Sequence, residues 1–373
     1  MDTFLNTLKK LDWFIIGSVT VIFLLGLFTI YASPGDHSNF YKQLIFGLIS
    51  LAIIIGVSFI DYRIFRVNRY LLIILYSFGL LLLFLLFIMD SQVRGVSSWF
   101  FIGDFAIQPV EPVKIIVLLV LAKYLSYRHI ELYRIRHILV SGLYALVPAV
   151  MVLAQPDLGS ALVLVASWIG LIIISGVRLK QFLLIVLLGI IATVILWSFV
   201  LHDYHKNRVL SFINPEQDPL GGGYQTRQAV IAIGSGGFFG KGLGEGSQTR
   251  LGFLPEYQTD FIFAAITEEW GLLGALIILG AWLLIFRRLY LIWRFATNNF
   301  ARIFVGGVFI LFLTHVVFNI GTNLALLPVT GLPLPFVSAG GSNLLSFALA
   351  LGLVMSIKIR SGTSQIIVPI LPR

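Results

Sequence analysis

The sequence contains no cysteine, which excludes disulfides and thiolate chemistry and says nothing about compartment. Charge is scarce as well: 12% of residues are Asp, Glu, Lys or Arg, about half the share found in soluble domains. Against that, 58% of residues are hydrophobic, and the mean hydropathy is +0.96. No soluble core could hide so much apolar surface, so the chain reads as an integral membrane protein. A P-loop is missing too, because Gly240-Lys241-Gly242 lacks both the spacing and the following Ser or Thr; ATP hydrolysis is therefore unsupported. His202, Asp203 and His205 lie close together, but no second cluster with ligand spacing accompanies them, which argues against a dedicated transition-metal site. Neither a solenoid-type period nor a convincing inverted repeat is visible, which weighs against a rocking-bundle transporter.

What is present is a series of apolar runs bounded by charge or by Pro and Gly, near 13–32, 43–60, 70–89, 106–125, 138–154, 158–176, 179–201, 259–286, 303–327 and 342–358. They predict an all-α polytopic membrane protein of about ten transmembrane helices in one domain over 1–373, with no room for a separate soluble domain. The run at 138–154 is short for a span. The first run has no small-residue cleavage site and is expected to be a span, not a removed signal peptide. With the N-terminus inside, 18 Lys and Arg fall on inner segments and 7 on outer ones, so both termini are expected in the cytoplasm. The net charge of +9 is then mostly a topology signal, and no nucleic-acid partner is expected.

This orientation sends a large loop of about 202–258, between the seventh and eighth spans, outside together with 90–105, the Gln155-Pro156-Asp157 turn and 328–341. The unusual polar residues collect on that side. Glu111 and Lys114 share one face of the fourth span, either as a pair that neutralises itself for insertion or as a functional pair, with Lys114 suited to a phosphate. Arg94 suits an anionic headgroup, and Trp99 is either an interfacial anchor or part of a site. Asp157 either caps the next helix or lines an outer cavity. Glycines from Gly234 to Gly246 alternate with Ile, Phe and Leu, which predicts an ordered segment of close backbone approach. Lys206, Arg208, Arg227 and Lys241 form a basic collar. His315, Asn319 and Asn323 make one polar stripe on the ninth span, explained equally by helix–helix hydrogen bonds and by a site.

Seven motifs in order carry a resemblance: RGVSSWFFIG, QPVEPVK, AQPDLGSAL, DPLGGGYQ, AIGSGGFFGKGLGEGSQT, LPEYQTDFIFAAITEEWG and LPVTGLPLPFVSAGGS. The chain resembles the SEDS family of cell-wall polymerases over nearly its whole length, and its elongation-type branch more than its division-type branch. The resemblance implies a peptidoglycan glycosyltransferase in the bacterial cytoplasmic membrane that polymerises lipid II and works with a class B penicillin-binding protein. It also implies that Asp260, in the TDFIF segment, is the catalytic residue; read without the family, Asp260 is more readily an N-cap for the eighth span. Glu111, Lys114, Arg94, Trp99 and Asp157 fall in matching motifs and are expected to line the same cavity.

On that reading Asp260 is the base for an acceptor hydroxyl. Lys114 and collar residues such as Arg208 and Lys241, or a loosely held divalent cation such as Mg2+, would meet the departing pyrophosphate. Glu268 and Glu269 lie about two turns deeper, off the face of Asp260, and are expected to be structural or paired elsewhere. Rival readings are a lipid-linked precursor flippase and a non-catalytic scaffold for the transpeptidase.

Overall fold

The computed structural model describes residues 8–33, 37–89, 99–102, 105–128, 135–200, 203–214 and 221–361. Within them the long apolar helices are α1 (Trp13–Ala32), α2 (Ser38–Phe59), α3 (Arg69–Met89), α4 (Val110–Arg128), α5 (Ile135–Leu153), α6 (Leu158–Ile174) and α7 (Leu179–Ile195). Two shorter helices follow, α8 (Asp203–Ile213) and α9 (Gly222–Ser235), then three more long ones: α10 (Ile262–Arg294), α11 (Asn299–Asn323) and α12 (Gly341–Arg360). Eight helices are long and apolar enough to cross a membrane. The two remaining long helices have plain reasons for falling short: α6 has only 17 residues, and α4 carries Glu111, Lys114 and Lys123. The protein is thus an all-α, polytopic, multi-pass membrane protein, with ten long helices among the described residues. The run that looked too short, 138–154, starts earlier as α5 and reaches 19 residues.

Two parts of the sequence reading change. The stretch 202–258 is not simply a loop, since α8, α9 and the single turn Ser247–Arg250 occupy much of it. Packing drives this: Ala229 and Ala232 of α9 are buried in a small cluster with Leu254, Phe261 and Ala264. The fourth apolar run also begins differently, as Phe105–Ile107 pairs antiparallel with Phe100–Ile102 before α4 starts.

The longest helix, α10, is broken at Gly271, where φ is 68° and ψ is −161°. A break inside a membrane exposes main-chain groups that lipid cannot satisfy. The glycine-rich stretch supplies them. Lys241 N–H donates to the Glu268 carbonyl and Gly242 N–H to the Glu269 carbonyl, both at 3.0 Å, while Leu272 N–H donates to the Gly237 carbonyl at 2.9 Å. Gly240, at φ 82°, lies so close that a Cβ there would overlap the Glu269 carbonyl. The side chains reinforce the join. Glu268, fully buried, accepts from Lys241 Nζ at 2.9 Å and from the main-chain N–H groups of Gln248 and Thr249 at 2.9 and 3.2 Å. Glu269 accepts from Gly244 N–H at 3.2 Å. Both glutamates therefore hold the segment against α10, as their distance from the face of Asp260 suggested.

The opposite end of the bundle is tied by charge. Buried Asp12 caps α1 and takes Arg288 Nη2 of α10 at 2.6 Å and Lys358 Nζ of α12 at 2.9 Å. α12 lies along α2, α10 along α1, and α11 against α6 and α4, whereas α7 stands at the periphery with little of its surface covered by protein.

Replacing Gly240 by Ala imposes both a strained φ and a main-chain overlap, with an expected cost of about 2–4 kcal/mol. Gly234, helical and with open space around its Cβ, is the control: Gly234→Ala should be neutral or slightly stabilising. Thermal unfolding of the two detergent-solubilised variants checks this, with only Gly240→Ala melting several degrees below the parent.

Candidate active site

Asp260 sits in the turn immediately before α10. Its N–H and that of Phe261 both donate to the Glu256 carbonyl at 3.1 Å, closing a tight turn around residues 256–261. Its carbonyl accepts from Asn319 Nδ2 at 2.9 Å and from Asn323 Nδ2 at 3.0 Å. Asn323 Oδ1 in turn accepts from Ala264 N–H at 2.9 Å, which satisfies one of the unpaired donors in the first turn of α10. The residue before the helix, Phe261, has no capping side chain, so Asp260 is not the N-cap. Asp260 lines the crevice instead.

The polar stripe of α11 thus has its explanation. Asn319 Nδ2 also donates to the Leu332 carbonyl at 2.9 Å, and His315 Nδ1 lies 3.1 Å from the Pro333 carbonyl. The stripe holds two non-helical segments, the Asp260 turn and the 328–340 connection, against the bundle. Ser338 completes the join by donating from Oγ to the Thr259 carbonyl at 2.6 Å.

Over this floor lies a crevice of about 550 Å³ lined by Asp260, Glu111, Asp157, Arg208, Glu256 and Trp99, among others. Arg208 comes from α8, where Nη1 donates to the Val329 carbonyl at 3.3 Å. The Asp260 and Arg208 head groups converge on Gly331: a Cβ there would lie 3.8 Å from Asp260 Oδ2 and 3.9 Å from Arg208 Nη1. Asp157 serves both roles left open by its position. Oδ1 caps α6 through Ser160 N–H at 2.9 Å, and Oδ2 accepts from Gln108 Nε2 at 3.2 Å on the crevice wall.

The Glu111–Lys114 pair is closed at 2.7 Å and almost wholly buried. Glu111 reaches the crevice wall; Lys114 does not, and lies behind it with Nζ 3.4 Å from His315 Nε2. With its amide turned to donate, as the network requires, Asn343 puts nitrogen 2.7 and 2.8 Å from the two Glu111 oxygens. Lys241 is likewise absent from the crevice wall, because its ammonium is engaged by Glu268 on the glycine-rich segment. Arg94 lies outside the described residues. The sequence reading missed Glu256 and Gln108 as site residues. The only sequence signal for Glu256 was an acid four residues ahead of Asp260 in the same motif; Gln108 gave none beyond its place in QPVEPVK.

Removing one member of a buried ion pair strands the other, at a cost of about 3–5 kcal/mol. Lys114→Met alone should therefore lower Tm sharply, and adding Glu111→Gln should recover most of the loss. Thermal melts of both single variants and the double variant would measure the coupling.

The comparisons with known proteins agree with one another. A family model for FtsW, RodA and SpoVE, described as a cell cycle protein, matches residues 5–362. Peptidoglycan glycosyltransferase MrdB of Escherichia coli (strain K12) is 39% identical over 264 residues, 71% of either chain. A chain from a peptidoglycan synthase complex that coordinates polymerization and crosslinking is similar in structure, with a TM-score of 0.80 at 30% identity over 93% of this chain and 97% of that one. The crystal structure of the rod shape determining protein RodA of Thermus thermophilus gives a TM-score of 0.68 at 28% identity over 93% and 96%. With a family match that spans all but the two extremities and an architecture shared with solved members, the chain belongs to the FtsW/RodA/SpoVE family.

Proposed function

We propose that this protein is a peptidoglycan glycosyltransferase that polymerises lipid II during elongation of the cell wall, with Asp260 as the general base. The observation that carries the reading is the geometry at Gly331, where a carboxylate and a guanidinium come within 3.8 and 3.9 Å of the same Cβ position in the crevice wall. Asp260 takes the proton from the 4-hydroxyl of the acceptor GlcNAc as that oxygen bonds to C1 of the donor MurNAc. The C1–O bond to the lipid pyrophosphate breaks, and the pyrophosphate leaves with the electron pair. One carboxylate acting as base on the face opposite the leaving group suits inversion at C1. Arg208 is the cation that meets the departing charge, with donors in a fork that matches phosphate oxygens.

Glu111 and Lys114 act together in this reading. Lys114 and Asn343 hold the Glu111 carboxylate in place at the crevice wall, and Glu111 presents its oxygens to the sugar. Trp99 offers a flat apolar face for a saccharide ring. Mg2+ takes one or two carboxylates together with phosphate oxygens. Among the described residues no three His, Asp or Glu form a metal-binding group, so a cation would be held by Asp260 or Asp157 jointly with the substrate. When bound, it would supply further charge stabilisation to the pyrophosphate.

A class B penicillin-binding protein is the partner expected to crosslink the strands, in keeping with the synthase complex that this chain resembles. The charge distribution supports a cytoplasmic location for both termini. A flippase would need charged groups along the depth of a groove open to both leaflets. Here the carboxylates and Arg208 gather at one end of the bundle, and Asp12, Arg288 and Lys358 knit the other end together.

Asp260→Asn keeps the side-chain shape, and the anchoring bonds go to the main-chain carbonyl, so Tm should be unchanged. Polymer formed from fluorescent lipid II, resolved on a gel, should fall at least about 100-fold. Polymerisation at the parent rate would remove the base assignment, while transport in sealed vesicles without polymer would favour a flippase.

A further inference from the structure

The crevice has a second lobe. A cavity of about 500 Å³ adjoins the one around Asp260, and the two share Trp99, Ala106, Glu256, Thr259 and Ala339 as a common wall. Asp260 and Arg208 line the larger lobe only, whereas Asn39 and Lys42 of α2 line the smaller lobe only. The smaller lobe is a built structure. Gln43 is 2% exposed and spends both amide atoms on its floor, donating to the Ser338 carbonyl at 3.1 Å and accepting from Gly340 N–H at 3.3 Å. Asn39 Nδ2 donates to Gln258 Oε1 at 2.7 Å, which ties α2 to the turn that carries Asp260.

Both substrates of a lipid-linked glycan polymerase carry a pyrophosphate, and the chemistry separates the two. The acceptor hydroxyl gives its proton to Asp260 while its oxygen bonds to the donor C1. The donor pyrophosphate, attached to that same C1, therefore lies beside Asp260, within reach of Arg208. The acceptor has its own pyrophosphate at the opposite end of its disaccharide. It must lie a full disaccharide away from Asp260, in a place with its own cation and its own route into lipid.

The smaller lobe offers both. Lys42 supplies the cation, and Ile45, Phe46, Ile49 and Ile53 follow it at i+3, i+4, i+7 and i+11, on the same face of α2. Those four residues line an apolar groove of about 550 Å³ between α2 and α12, completed by Leu345 and Leu349. The groove meets the smaller lobe at Phe46 and Ala106 and touches the larger one at Ala106 and Gln108. A headgroup held at Lys42 thus hands its tail down the helix that carries the lysine.

Resting on the assignment of Asp260 as base, we propose that the smaller lobe is the acceptor subsite. Lys42 takes the pyrophosphate of the incoming polyprenyl-linked disaccharide, and the α2–α12 groove takes its isoprenoid chain. The larger lobe around Arg208 takes the donor. In the transfer, the donor C1–O bond breaks, the pyrophosphate departs with the electron pair, the acceptor oxygen bonds to C1, and the proton passes to the Asp260 carboxylate.

A single coupling between two dedicated substrates tests the assignment with the full chain in detergent. Lipid II capped on its GlcNAc 4-hydroxyl acts only as donor. Its analogue with a carbon-linked, uncleavable phosphonate at C1 acts only as acceptor. Lys42→Ala should raise KM for the acceptor-only lipid about tenfold or more and leave KM for the donor-only lipid unchanged, with Lys42→Arg restoring the parent value. Arg208→Ala should show the reverse split. Equal changes for both substrates, a change confined to the donor, or no change for Lys42→Ala would overturn the proposal. Asp260→Asn, run beside these, reports separately on the base: coupling at the parent rate would remove that assignment whatever the Lys42 constants show.

Discussion

Non-helical backbone within a membrane survives only where protein satisfies its polar groups, and this constraint shapes the active end of the molecule. Two irregular segments meet there, the turn around Asp260 and the 328–340 connection, and a third, the break at Gly271, lies further along α10. Each is satisfied by a different device. Asparagine amides from α11 hold the first and part of the second. Ser338 and Gln43 hold the remainder of the connection. The glycine-rich segment serves the third through main-chain bonds, reinforced by the Glu268 and Glu269 side chains. Without these bonds the crevice would have no floor, because an apolar helix bundle has no other means of holding a turn at that depth.

Much of this was legible in the sequence, and the reasons differ by element. The spans were readable because lipid demands about 20 consecutive apolar residues, and that demand is local. Asp157, Glu111, Trp99 and Asp260 were readable because a polar residue at a span boundary has few uses. The helices of 203–235 were not. Their composition is rich in glycine and charge, and α9 is held by the burial of Ala229 and Ala232 against residues more than twenty positions away. Long-range partner choice also decided the fate of the basic residues. Lys241 and Arg208 look alike in the sequence, but Glu268 engages the first, and the second faces the crevice. Lys114 is drawn behind Glu111 by the i, i+3 spacing that the sequence did display, and only the packing of His315 and Asn343 around the pair decides which of the two reaches the cavity.

The two ends of the bundle do different work. At one end Asp12 collects two cations and fixes where α1, α10 and α12 begin and end. This is a buried charge cluster whose worth lies more in register than in net stability. At the other end charges of both signs, among them Asp260, Glu111 and Arg208, line the crevice. Between them the bundle is apolar and continuous, so that a change at one end reaches the other through helix position and not through a chain of polar groups.

The two asparagines that grip Asp260 hold its carbonyl and are blind to its side chain. These two bonds therefore do not depend on which side chain occupies position 260. A chain substituted there keeps both anchoring bonds, and expressed beside an unaltered copy it would take the same place in any assembly, so a defect confined to that side chain would act as a dominant-negative rather than a simple loss.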